Sequence, residues 1–208
     1  YWEQGWFAIL PLTATAIAEP ERLRSGLELV KEYYHAAGVT LGSEPGGIAS
    51  KAAQDAQNAV LGVSSSPFRF YYIIDGKSIT AAYPDEEVAE ESEKMFSWGE
   101  GMTDFLPNRV KLFADGAVYS QAMQMTAGYT NDSHGEWMME PELFARTFRL
   151  YWDLGYQLHI HVTGDGGVDL ALDHLELNMR RNPRYDHRTV LIHFAVSRPD
   201  QVERIRRL

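Results

Sequence analysis

The chain has 208 residues, 45% hydrophobic and 23% charged, the proportions of a soluble globular protein able to bury one sizeable core. A formal net charge of −10 argues against nucleic acid or an anionic membrane as a partner, and the absence of cysteine excludes disulfides and thiolate metal sites. The most apolar stretch, Phe7–Ala18, is broken by Pro11, is too short to span a bilayer and lacks the basic flank of a signal peptide, which leaves the compartment open with the cytoplasm favoured.

Residues 1–19 are aromatic-rich and irregular, with no assignable element. Pro20 suits the first turn of a helix running to about Ala37, with Leu23, Leu27, Val30 and Tyr34 on one stripe and Gly38 as its stop. A short strand follows over residues 39–44, then a loop at Pro45–Gly47 and a helix from its cap Ser50 to about Leu61. Residues 68–74 are the next strand, turned by Asp75 and Gly76, and an acidic helix is expected over roughly Asp85 to Trp98, with Asp85–Glu93 as a solvated face. Residues 109–114 form a third strand that ends in Asp115 and Gly116.

The stretch from Ala117 to Glu140 breaks the rhythm. It is Met-, Tyr- and Gly-rich, too polar for core and too aromatic for a linker, and loops of such length inside a compact domain usually serve function. Its residues His134 and Trp137 suit a substrate lid or a clasp between subunits. Pro141 then opens a helix to Leu154 that buries Leu143, Phe144, Phe148 and Tyr151, with Gly155 at its C-terminal cap. In the fourth strand, 156–163, Leu158, Ile160 and Val162 alternate with His159, His161 and Thr163. A period of two sends the aliphatics to one face and the imidazoles to the other. Residues 164–167 are read as a turn into a helix from Val168 to about Arg181. A fifth strand at 189–194 and a last helix complete the order.

Alternation of strands and helices at this spacing means parallel strands with helices packed outside them. Five strands fit either a doubly wound sheet or part of a barrel. No dinucleotide fingerprint, Gly-x-Ser-x-Gly elbow or phosphate-binding lysine loop is present. A glycosidase reading lacks a pair of carboxylates at strand ends. The strands instead place Lys111, His159, His161 and His193 towards their C-terminal ends, a set that brought together is able to hold a metal that activates water. Plainer readings stand beside it: His193 as a hydrogen-bonded structural histidine, Lys111 as the ion-pair partner of Asp115, Asp165 as a helix cap.

At these residues the chain resembles the amidohydrolase superfamily, and within it the amidohydrolase family 3 branch that includes N-substituted formamide deformylases and exoenzyme regulatory proteins. The resemblance is carried by Val110–Gly116, by His161–Asp165 and by His193 with Phe194 and Ala195, and Gly38–Gly46 is similar to the family's early strand. It implies α/β architecture as a partial (β/α)8 TIM barrel of the metal-dependent hydrolase type, roughly strands two to six. It also implies hydrolysis of amide-type C–N bonds in a small molecule, with a divalent metal, zinc, as one or two ions. By position, Lys111 is the lysine that can be carboxylated to bridge two metals, and His161 and His193 are metal ligands. Asp115 and Asp165 belong to the surrounding shell or the loop scaffold, and His159 to the surrounding shell or to packing.

The first-strand His-x-His and the late aspartate of such enzymes have no counterpart here. The expectation is therefore an incomplete barrel, a fragment inactive by itself and without its full metal, that closes its sheet edges by self-association. A non-catalytic regulatory or binding protein on the same scaffold is the alternative.

Overall fold

The computed structural model describes residues 8, 9, 11–13, 16, 19–47 and 50–208. Most of the lead-in, residues 1–19, and half of the apolar stretch at 7–18 lie outside them, and the described residues 8, 9, 11–13 and 16 are helical rather than irregular. Helix α1 spans Pro20–Ala36, with the Glu19 carboxylate accepting from the Arg22 N–H (2.8 Å) as its N-cap. The expected stripe is only partly covered: Leu27 and Tyr34 reach the core, whereas Val30 is 39% exposed. Strand β1, Leu41–Pro45, and α2, Lys51–Leu61, follow, the latter capped by the Ser50 hydroxyl.

Strand β2 runs over Arg69–Asp75. Asp75 and Gly76 do not turn the chain back; they launch α3, Gly76–Ala82, with Asp75 as N-cap accepting from the Lys77 N–H (2.9 Å) and the Ser78 hydroxyl. Gly76 is required by close approach, since a Cβ there would lie 2.6 Å from Val110 Cγ2. The acidic helix α4 is shorter than expected, Val88–Phe96, and packs through Val88, Ser92 and Met95. Strand β3 is longer, Thr103–Phe113. Its pairing with β2 jumps from Tyr72–Phe105 to Ile74–Val110. Pro107, with no N–H to donate, sits inside that bulge, as strand prolines do.

Helix α5 spans Pro141–Asp153 and buries Phe144, Thr147, Phe148, Tyr151 and Trp152. Strand β4 is Gln157–Val162. Helix α6, Asp165–Arg181, begins three residues before the expected Val168, because Gly164 is its N-cap and the glycines belong to its first turn. Strand β5, Val190–His193, and α7, Pro199–Arg207, end the described chain.

All five strands are parallel and lie in the order β1-β2-β3-β4-β5. A doubly wound sheet reverses its strand order at a switch point; this one never does, so it is a half-barrel with helices outside. The layer between sheet and helices is the main core. Tyr72, Ile74, Val110, Leu112, Leu158, Ile160 and Val162 are fully buried there, against Phe144, Phe148, Tyr151 and Trp152 of α5 and Val168 and Leu172 of α6. Among the described residues no helix is long and apolar enough to cross a membrane.

Candidate metal centre

With the aliphatic face turned to the helices, the other face of each strand lines the barrel interior. Strand register sets its layers. Arg109 lies beside Gln157, Lys111 beside His159, and Phe113 beside His161. On the flanks Asp75 adjoins Lys111, while Val190 and Ile192 adjoin His159 and His161.

Alternation read along β5 alone turns Val190 and Ile192 towards the helices and His193 towards the interior, and the register overturns it, since Val190 and Ile192 adjoin the interior histidines. The register partner of His193 is Val162, on the helix side, so a regular β5 would point it away from the interior. Its backbone is instead left-handed, φ 76°, and Phe194 after it has φ 45°. Such conformations are costly for residues with side chains and cluster at functional sites. The reversal sets the His193 ring 4.6 Å from that of His161, at 73°. Lys111 Nζ lies 4.6 Å from the centroid of Phe113, whose ring is 6.0 Å from His161. His161 and His193 are thus brought together at the C-terminal ends of β4 and β5, with Lys111 of β3 near enough for its charge to act on both.

Electrostatics prepare these groups. Burial, reinforced by the charge of Lys111 and by His193, pushes His161 down to about 4; the Gly116 carbonyl works weakly against it. Burial, then Arg109 and Lys111, does the same to His159, also to about 4. Both imidazoles are therefore neutral at pH 7, with a lone pair to offer. Lys111, only 2% exposed, is pushed down to about 8 by burial, with Glu44 and Asp75 pulling the other way. Burial in turn raises the carboxyls of Glu44 and Asp75. Among the described residues the Nε2 atoms of His159 and His161 are buried without a hydrogen-bond partner, a costly state for a polar atom that a bound ligand would relieve. Among the described residues no three His, Cys, Asp or Glu side chains form a metal-holding group. A metal here would need Lys111 alongside the histidines.

The two aspartates have other duties. Asp115 is fully buried and forms no ion pair with Lys111. Its carboxylate accepts from the N–H groups of Gln124 (2.9 Å), Thr163 (2.8 Å) and Gly164 (2.7 Å), tying the end of β3 to the end of β4 and to the long loop. Asp165 is the first residue of α6 rather than its cap. It accepts from Thr126 N (3.0 Å), the Thr126 hydroxyl and Arg198 Nη1 (3.0 Å), and so fastens the loop and α7 to α6.

The loop is less polar in place than in sequence, for Ala122, Met123 and Met139 are buried. Its return limb is pinned beside β3: Trp137 forms an antiparallel bridge with Asp115, and Met138 N donates to Ala114 O (3.1 Å). His134 is exposed, its Nδ1 3.0 Å from Met125 O. Glu44 and Asp75, the carboxylates nearest in effect to Lys111, escaped the sequence reading. The available signal for Asp75 was its place before glycine at a strand end, as with Asp115.

The amidohydrolase family model matches residues 5–208. The chain belongs to the amidohydrolase family. Two solved structures are similar in fold, an uncharacterized metal-dependent hydrolase from Pyrococcus horikoshii OT3 (TM-score 0.65, 21% identity) and one from Pyrococcus furiosus (TM-score 0.62, 21% identity). Each likeness covers 90% of this chain, which spans 35% and 36% of those chains. No curated protein matches it. The family implies a divalent metal, and the orphaned imidazole nitrogens beside Lys111 fit one.

Proposed function

We propose that this amidohydrolase chain contributes to a metal-dependent hydrolase acting on C–N bonds of small amides, with Lys111, His161 and His193 as metal ligands. The supporting observation is the orphaned Nε2 of His161, packed against a left-handed His193 and beside a buried lysine. The branch that includes N-substituted formamide deformylases is the finer placement, resting on the Val110–Gly116 and His161–Asp165 blocks. Imidazole and carboxylate-type donors suit zinc.

A bound divalent ion supplies Lewis acidity and a water whose pKa falls towards about 7. The chain's own residues do the rest. Neutral His161 and His193 offer lone pairs without first losing a proton. Burial favours the neutral amine of Lys111, the form that would take up carbon dioxide to become a carbamate and release a proton, and the carbamate would be a better metal ligand than the bare amine. His159, one layer below His161, lies beside Lys111 on the neighbouring strand. Asp115 keeps the ends of β3 and β4 at fixed separation, so the ligands they carry stay in place. The loop anchored through Gln124 and Thr126 carries His134 and holds Trp137 beside the end of β3, where the two would serve as a lid over substrate.

The test is elemental analysis of the purified protein, and of the longer protein expected to contain it, with Lys111→Ala, His161→Ala and His193→Ala made singly. Stoichiometric divalent metal in the longer protein, lost on each substitution, is the expected result. A metal-free protein indifferent to all three changes would overturn the reading and leave the barrel as the scaffold of a regulatory protein.

A further inference from the structure

At the opposite end of the strands, where β4 begins and β3 leaves its bulge, a pocket of about 430 Å³ opens between Asn108, Arg109, Gln157, Arg184, Asp186 and Arg188. Four residues of strand separate Gln157 from His161, about 13 Å at a rise of about 3.3 Å per residue. The pocket is therefore a different site from the histidine cluster.

Its charge is unbalanced. Asp186 is engaged in a two-pronged pair with Arg188, Nε–Oδ1 2.7 Å and Nη2–Oδ2 2.9 Å. Arg109 and Arg184 have no carboxylate partner among the described residues. Arg109 is half-buried and makes one long bond, Nη1 to Pro107 O at 3.3 Å. Arg184 is half-buried against Trp152, its guanidinium carbon 4.7 Å from the ring centroid. It donates from Nη1 to Trp152 O and Tyr156 O, both 3.0 Å, and from Nη2 to Gly155 O, 2.8 Å. Among the described residues its Nε–H and one Nη2–H find no acceptor. Gln157 turns its amide to Arg188 O (2.7 Å) and keeps that backbone at the rim.

In a chain of net charge −10, two half-buried guanidinium groups facing one concavity without a counter-charge run against the prevailing balance. Removing a charge from water without a partner is unfavourable. The planar arginine fork matches an oxyanion with two parallel bonds. We infer that this pocket binds a small oxyanion, phosphate or carboxylate, between Arg109 and Arg184. Nothing in the inference depends on the metal centre.

Calorimetric titration of the protein with inorganic phosphate and, separately, with succinate tests it. Saturable binding of at least one is expected, weakened about tenfold in Arg109→Gln through loss of a charge-assisted contact, weakened further by added salt, and unchanged in His161→Ala. Binding of phosphate alone assigns a phosphorylated ligand, and binding of succinate alone assigns a carboxylate. Because Arg184 also holds three carbonyls, Arg184→Lys is paired with a melting curve so that unfolding is separated from lost binding. No saturable heat with either anion, or affinity unaltered in Arg109→Gln, overturns the proposal, as does binding that disappears in His161→Ala.

Discussion

Replacing Asp115 by alanine tests whether the top of the barrel is held as described. The carboxylate is fully buried and takes three backbone N–H groups, from Gln124, Thr163 and Gly164, at 2.7–2.9 Å. Alanine removes the acceptor and leaves all three donors behind. A buried donor left unsatisfied costs about 1–3 kcal/mol, and water entering the vacated volume recovers part, so the expected loss is about 3–5 kcal/mol. That is a large share of a domain's usual stability of about 5–15 kcal/mol. Asp115→Asn retains one acceptor oxygen but turns an NH2 group towards an N–H, so it should lose about 2 kcal/mol. Urea unfolding gives the totals, and hydrogen exchange at Gln124, Thr163 and Gly164 gives the location. If Asp115→Ala loses under about 1 kcal/mol and exchange at those amides is unaltered, the proposed anchor is wrong.

Gly167 lies in the first turn of α6, where a Cβ would fall 2.7 Å from Asp115 Cγ. Gly167→Ala should destabilise in urea melts, because overpacking of about 1–3 kcal/mol exceeds the roughly 1 kcal/mol of helix propensity gained. Gly26→Ala in α1, with nothing within 4 Å of the added carbon, should stabilise instead. His174 sits against Phe144 and Phe148, ring centroids 5.7 and 6.1 Å away, and burial lowers its pKa, with Asp173 opposing. The unfolded chain thus binds a proton that the native state resists, so this contribution is intact above about pH 6.5 and is lost as pH falls. Stability of the wild type relative to His174→Leu should fall between pH 7 and 5; a pH-independent difference would contradict that.

Element types were largely legible because the periods are clean. Leu158, Ile160 and Val162 alternate with polar neighbours, and every one of them is fully buried on the helix side. Errors fell where backbone context outweighed local composition. Asp75-Gly76 reads as a turn, yet Val110 crowds Gly76 and Asp75 caps a helix. The Pro107 bulge hid the first half of β3, and the stretch read as too polar for core contains buried Met123 and Met139.

By itself the sequence determined the parallel α/β architecture and offered Lys111 and His161 as candidates through strand periodicity, a local property, with His193 added by the block that resembles the family. It could not choose between a doubly wound sheet and a barrel, since strand order depends on contacts between distant segments, and only the unbroken order of the five strands decided it. Nor could it separate the Lys111–Asp115 ion pair from two independent roles. That required the donors converging on Asp115 from residues 9 to 49 positions away. The place of His193 was likewise a tertiary outcome: its register with β4 sends it to the helix side, and a left-handed backbone returns it to His161.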